Sequence, residues 1–273
     1  MKVEKILFII GMIMCAVLLL ATVSAPVIAP HDPYKLDMKN KLVLPDREFP
    51  LGTDHLGRCL YSRLLYGART SLGIAFLVII VTFAIGLVIG ILSGLFADTF
   101  IDKTLTALCE IVLAFPGILL ALVMASVLGA GILNIMFAIA LVSWARYARL
   151  VRTLTIGIKN ADYIRAAKVL GTQPVLIVTR HILPNIITTV ITVLVSDIGS
   201  AILRVAGLSF IGLGAQPPEA EWGMMINEAR LYITSSPHLI LFPVMAVSIT
   251  VLTFNLLGDG YRNLQSRLDK QFW

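Results

Sequence analysis

Six apolar stretches punctuate this 273-residue chain, at residues 6–29, 72–97, 105–128, 132–155, 186–213 and 239–257. Each is long enough to cross a bilayer, which takes about 20 apolar residues in a helix. In hydrocarbon every backbone N–H and C=O must find a partner within the protein, so only helices or closed barrels span. The stretches are uninterrupted, not alternating, which selects helices. The expected fold is therefore an all-α polytopic membrane protein with about six transmembrane helices. A composition 58% hydrophobic and 14% charged excludes an ordinary soluble domain.

The polar residues between the spans set the orientation. Arg146, Arg149 and Arg152 near the end of the fourth stretch form a cluster with Lys159, Arg165, Lys168 and Arg180 ahead of the fifth, and Arg262, Arg267 and Lys270 follow the sixth. Basic residues in short loops stay on the cytoplasmic side. Both termini and the loop 156–185 are therefore expected in the cytoplasm, with loops 30–69 and 215–238 outside. Segment 30–69 is also basic, but it is long and carries five acids, the regime in which that rule weakens. The net charge of +6 thus reflects membrane orientation and not nucleic-acid binding. Cys15, Cys59 and Cys109 lie too far apart in sequence to read as a disulfide framework or a CxxC metal site. The first stretch, preceded by Lys2 and Lys5, is read as a retained helix: Pro30-His31-Asp32-Pro33 follows it, without a small-x-small cleavage site. Gly86 and Gly90, four apart, suit close helix packing in lipid.

The cytoplasmic loop has its own internal order. Over residues 162–170, Tyr163, Ile164, Ala167 and Leu170 fall near one helical face, with Arg165 and Lys168 elsewhere. Gly171 is placed to stop that short helix in the left-handed conformation, Thr172 to cap the next, and Pro174 to sit in its first turn. Pro184 ends or kinks the second segment just before the fifth span. A helix–glycine–helix unit joined to two spans can transmit a displacement, because packed helices move as bodies. The alternative is a helix that lies on the membrane surface.

The spacing within this loop is more specific. Ala166-Ala167, three residues, Gly171, nine residues, then His181-x-Leu183-Pro184 resembles the EAA loop of ABC-importer permeases, whose short helix sits in a cleft of the ATPase subunit. Arg165 stands where the family's name-giving Glu would be. A second resemblance lies in PLGTDHLGRCLYSRLLYGARTSL, residues 50–72, which looks like the external segment before the second span of peptide and nickel importers, with Cys59 in place of the usual Asp. The resemblance implies a type I importer permease fold: an N-terminal helix and external loop over residues 1–71, and a permease core over 72–273 with its coupling loop at 156–185. It implies that Arg165, Ala166, Ala167, Gly171, His181, Leu183 and Pro184 serve ATPase coupling. It also implies three kinds of partner at the cell membrane: a second homologous permease subunit, two ATP-binding subunits and an external solute-binding protein. No cofactor is expected on this chain. ATP belongs to the partners, and the chain has no GxxxxGK[ST] phosphate loop of its own. It is therefore read as a non-catalytic subunit.

Substrate class is weighed on shorter signals. Val205-Ala206-Gly207 and the run Glu221-Trp222-Gly223-Met224-Met225-Ile226-Asn227 look more like the nickel-import branch than the peptide branch. The reading is nickel or a nickel chelate, with a dipeptide or oligopeptide as alternative. Imidazole nitrogen suits Ni(II), so His31, His55 and His238 are candidate contacts, although no pair shows ligand spacing and the metal ligands stay unknown. Met224 and Met225 are read as packing residues. A charge at a helix centre costs about 2.5–3.5 kcal/mol on insertion scales, so ionisable groups within spans are informative. Asp197 and Arg204 are seven residues apart, on one helix face with Ser200 between. That face either lines the translocation path or pairs with a neighbouring helix. Glu110 lies near the cytoplasmic end of the third span, and Arg58, Arg63 and Arg69 are placed to anchor the external loop at the headgroups. The rival classes are a stand-alone secondary transporter, for which no inverted repeat stands out, and an intramembrane hydrolase, for which no HExxH or GxSxG is present.

Overall fold

The computed structural model describes residues 2–271, with side chains over 5–263. The side chains of Lys2, cited above at the first stretch, and of Arg267 and Lys270, used to orient the C-terminus, lie outside the described residues. Those residues form helices α1 (Lys2–Val23), α2 (Ala25–Ile28), α3 (Leu60–Leu95), α4 (Phe100–Leu113), α5 (Gly117–Leu128), α6 (Ile132–Lys159), α7 (Asp162–Val169), α8 (Pro174–Ile177), α9 (Leu183–Phe210), α10 (Trp222–Ala229) and α11 (His238–Gln271), and contain no strand. The all-α membrane architecture is as expected.

Five of these segments are long and apolar enough to span: Lys5–Val23, Leu60–Leu95, Ile132–Lys159, Pro174–Phe210 and His238–Asn263. The expected third span is not one straight helix. It breaks between α4 and α5 with a bend of 89°, at Ala114-Phe115-Pro116, because Pro116 has no N–H to donate and its ring crowds the preceding turn. The second span begins earlier than its apolar run. At 36 residues α3 is about 54 Å long, well beyond a hydrocarbon core of about 30 Å, so its first turns belong with the external loop.

The chain divides into two compact units. The first comprises residues 1–77, 124–137 and 195–273. In it glycines mark close approaches between α11 and its neighbours. A Cβ on Gly260 would overlap Phe8 of α1, and one on Gly258 would overlap Ser196 of α9. The loop 30–59 is tied by local hydrogen bonds: Leu42 N–H to the Asp54 carbonyl, Thr53 N–H to that of Val43, and Asp37 N–H to that of Leu56. Gly57, at φ +75°, permits this fold on two counts, since any Cβ there would collide with the Asp37 carbonyl.

The second unit comprises residues 78–123 and 138–194. Its frame is a glycine stripe on α3 against α6. A Cβ at Gly86 would lie 2.6 Å from that of Tyr147, one at Gly90 2.6 Å from the Ala148 carbonyl oxygen, and one at Gly94 2.5 Å from the Thr155 Cβ. Small residues let the two backbones approach, and in lipid, where burial gives no hydrophobic gain between helices, close van der Waals contact is what holds them. The sequence pair Gly86–Gly90 thus does what its spacing predicts, and Gly94 extends it by one more turn.

Candidate functional site

The polar loop folds as a helix, a turn and a second helix. Ile164, Ala167, Ile177 and Ile182 point inward and are buried in a cluster with Val151 of α6 and Ile186 and Val190 of α9. Leu87, Ile91 and Leu95 of α3 pack against the same cluster, so the loop is seated on three spans. Helix α7 then ends in a Schellman turn. Thr172 N–H donates to the Ala167 carbonyl and Gly171 N–H to that of Lys168, both at 3.0 Å, which satisfies carbonyls the helix end would orphan. Gly171 has φ +77° with nothing within 4 Å of where a Cβ would stand. The glycine is required by the backbone and not by crowding.

Beyond the turn two details differ from expectation. Gln173, not Thr172, is the residue preceding the first turn of α8, and no side chain caps it; Thr172 is used up closing α7. Pro174 occupies that first turn as expected. Pro184 does not end the helical path, but the α-helical pattern gives way just before it. The residues before it, Val178–Ile182, form a π turn in which Leu183 N–H reaches back to the Val178 carbonyl. Proline cannot donate to the Arg180 carbonyl and its ring would strike that group, and the wider turn relieves both problems.

The other loop residues divide by face. Ala167 and Ile164 are buried, whereas Arg165, Ala166 and Pro184 are exposed and His181 and Leu183 are half-buried. The His181 ring sits 6.1 Å from that of Tyr163, and Asn185 Nδ2 donates to the Tyr163 hydroxyl at 3.5 Å, tying the start of α9 to α7. Outward, Val169 is 87% exposed, Leu170 84% and Val175 68%.

Within the first unit, Asp197 is buried and Ser200 and Arg204 are half-buried on α9. Both Asp197 and Arg204 are already engaged in polar or electrostatic contacts.

The three histidines His31, His55 and His238 are not brought together. His31 stacks on Phe49 at 4.8 Å and His55 on Tyr232 at 5.6 Å, while His238 lies beside Gly52. Among the described residues one group has ligand atoms close enough for a metal, Asp54, His55 and Glu228, within 4.8 Å of one another. Its two carboxylates are already matched. Arg58 Nε lies 2.6 Å from Asp54 and its Nη2 2.9 Å from Glu228, and Arg63 reaches the same pair at 3.5 and 3.0 Å. Two guanidiniums, each 1% exposed, would repel a divalent cation placed between them. The cluster reads as an ion-paired cage that fastens the external loop to α10. Arg58 and Arg63 therefore do not anchor at headgroups; only the exposed Arg69 is free to.

Glu221 is a further buried acid. Its carboxylate accepts from Gly223 N–H and Met224 N–H at 2.9 Å and from the Ser71 hydroxyl at 3.0 Å, capping α10. Burial pushes its carboxyl above the ordinary range against these donors. Met224 and Met225 are buried packing residues, as expected.

Sequence reasoning missed the polar lock of the second unit. Arg152 of α6 forks onto Asp102 of α4 with both nitrogens at 2.7 Å, and Asp102 also accepts from the Ser93 hydroxyl and Asp98 N–H. The available signal was a lone acid one turn into an amphipathic helix, beside a basic cluster.

Helices of membrane-spanning length, joined by an exposed helical loop that turns on a left-handed glycine, define a polytopic membrane protein. Residues 86–269 match the family described as "Binding-protein-dependent transport system inner membrane component", and the chain belongs to that family. It is 38% identical over 254 residues to the nickel transport system permease protein NikC of Escherichia coli (strain K12), covering 93% of this chain and 91% of that protein. It is 42% identical over 213 residues to the glutathione transport system permease protein GsiD of Pectobacterium atrosepticum, covering 78% and 70%. With GsiD of Escherichia coli O157:H7 the identity is 40% over 247 residues, covering 90% and 81%. The chain is thus an ABC-importer permease of the nickel, glutathione and peptide group, which works in a complex with other subunits.

Proposed function

We propose that this chain forms half of the translocation path of an ATP-driven importer, with residues 156–185 facing the cytoplasm and receiving an ATP-binding subunit. The observation that carries this reading is the loop's double character. Its inner face is cemented to three spans, while Val169, Leu170 and Val175 stand exposed at the turn. Exposed apolar side chains on an otherwise polar loop mark a contact surface. The complex comprises a second homologous permease, two ATP-binding subunits that bind and hydrolyse ATP, and a solute-binding protein that delivers cargo to the external loops. Arg165, Ala166, Gly171, His181 and Pro184 act in coupling by shape and charge, and Ala167 and Leu183 by seating the loop. Both termini are cytoplasmic, and Asp197, Ser200 and Arg204 line the path.

The cargo we favour is a nickel chelate carried whole. The nickel-permease relative matches along nearly the full chain, and the one Asp–His–Glu group among the described residues is neutralised by arginines, which favours a complexed ion over a bare one. The glutathione-permease relatives support a second reading, a short peptide. Uptake of radioactive nickel, with and without the gene, at trace metal and with histidine or glutathione added, separates the two. Gene-dependent uptake stimulated by histidine and indifferent to glutathione supports the chelate. Unchanged nickel uptake, with loss of labelled glutathione or dipeptide uptake, transfers the assignment to peptides.

A further inference from the structure

The outward stripe of α7 consists of Asp162, Arg165, Ala166 and Val169, spaced i, i+3, i+4 and i+7. The opposite face, Ile164 and Ala167, is buried. Val169 and Leu170 continue this stripe to the turn, and Val175 stands just beyond it. A helix that lies in a membrane interface keeps its charges on the side away from the lipid. Here Asp162 and Arg165 share the stripe with Val169, so a helix lying flat on a membrane could not cover this stripe without turning both charges toward the lipid. The mixed stripe suits a protein groove better than a lipid surface.

The charge on this surface is one-sided. Between residues 160 and 185 the ionised side chains are Arg165, Lys168 and Arg180 against Asp162, and all four are exposed. Arg165 approaches Asp162 only at 3.8 Å, with the two side chains 67% and 102% exposed. Such a pair in water contributes little and leaves most of the guanidinium fork unused. In a groove that excludes water, a carboxylate can take that fork in two parallel hydrogen bonds.

We propose that the groove of the ATP-binding subunit pairs an apolar pocket for Val169, Leu170 and Val175 with an acidic rim, and that one Asp or Glu of that rim stands opposite Arg165. This rests on the reading of the loop as the ATPase contact. It makes Arg165 a determinant of which ATP-binding subunit the chain accepts, since a partner with a basic rim is repelled.

The test uses the intact permease pair in nanodiscs, titrated with its purified ATP-binding subunit at several salt concentrations. Arg165→Glu is expected to weaken association by at least about tenfold, and Arg165→Gln to flatten the salt dependence. Exchange of one rim carboxylate for Lys in the partner should restore the Arg165→Glu variant. Both positions are exposed, so equal membrane levels verify folding. If Arg165→Glu binds as wild type while Leu170→Asp abolishes association, the acidic rim is wrong and the coupling loop stands. If neither substitution alters association, the loop is not the ATPase contact and both readings fail. If Arg165→Glu weakens binding yet no rim reversal restores it, Arg165 is not matched by a carboxylate.

Discussion

Substitution of Gly171 is the perturbation that isolates backbone geometry from packing. At φ +77°, with no atom within 4 Å of the place a Cβ would take, a new side chain meets no neighbour, and the whole cost is conformational. For an L-residue the left-handed region costs about 1–2 kcal/mol, a β-branched residue lies at or above the top of that range, and Asn tolerates the region best. If the Schellman turn is the form that binds the ATPase, its population falls by the corresponding factor, at most about 5–30-fold for Ala, and the apparent dissociation constant rises in proportion. The expected order of affinity is Gly, then Asn, Ala and Val. The assay is a titration of the ATP-binding subunit onto the permease pair in nanodiscs, with hydrolysis and transport measured on the same samples. Membrane insertion should not change, because Gly171 lies outside every span. An Asn variant as impaired as Val would refute the conformational account, and a Val variant with wild-type coupling would remove the turn from the mechanism.

Two more perturbations probe the frame. Gly90→Val places atoms 2.6 Å or less from the Ala148 carbonyl and the Val151 Cβ, overpacking α3 against α6. The expected cost is about 1–3 kcal/mol or more, seen as a lower unfolding midpoint in detergent, whereas Gly73→Ala, which sits within α3 and meets nothing within 4 Å, should hold or slightly raise the midpoint through helix propensity. Glu221 gives a pH signature: its carboxyl is raised above 4.5 on folding, so the folded state binds the proton more tightly. Its contribution is most favourable below the unfolded value and is lost as pH rises through the folded one. The midpoint of the wild type should therefore gain on that of Glu221→Gln as the buffer is taken from about pH 7 toward about pH 4.5; a constant difference would show that the burial effect is absent.

What the sequence revealed was what local chemistry determines. Apolar length placed the spans, Gly171 placed the left-handed turn, Pro174 placed the start of α8, and Gly86–Gly90 placed the close helix contact. What it hid was tertiary. Arg58 and Arg63 read as headgroup anchors because their match, Glu228, lies 170 and 165 residues away; buried, the same side chains fasten a loop. The start of α3 was hidden because residues 60–71 are mixed in character, and their tertiary partners are distant in sequence: Trp222 Nε1 donates to the Leu64 carbonyl and the Ser71 hydroxyl to Glu221. Pro116 was visible as a residue, but an 89° bend rather than a mild kink depends on what the two halves pack against. Pro184 misled in the opposite direction, because a π turn absorbed it.

The second unit has the construction that a transmitted displacement would need. The inner side chains of the loop, Ile164, Ala167 and Ile177, share one packed cluster with Val151 and Val190, and close-packed interiors shift as bodies because they contain little free space to absorb strain. The glycine stripe holds α3 against α6 at backbone contact, and the Asp102–Arg152 fork joins α4 to α6 by the strongest geometry two such side chains can adopt. Beyond the turn, a force on Val169 or Leu170 thus meets only packed side chains before it reaches three spans. The softest place along that route is the turn itself, a single glycine between two short helices, closed by backbone hydrogen bonds alone. Cargo selection has no comparable feature on the loop side. On the proposed reading the loop acts on every cargo alike, so loss of coupling through Gly171 or Arg165 should reduce transport of every substrate by the same factor, with the order of preference among substrates intact.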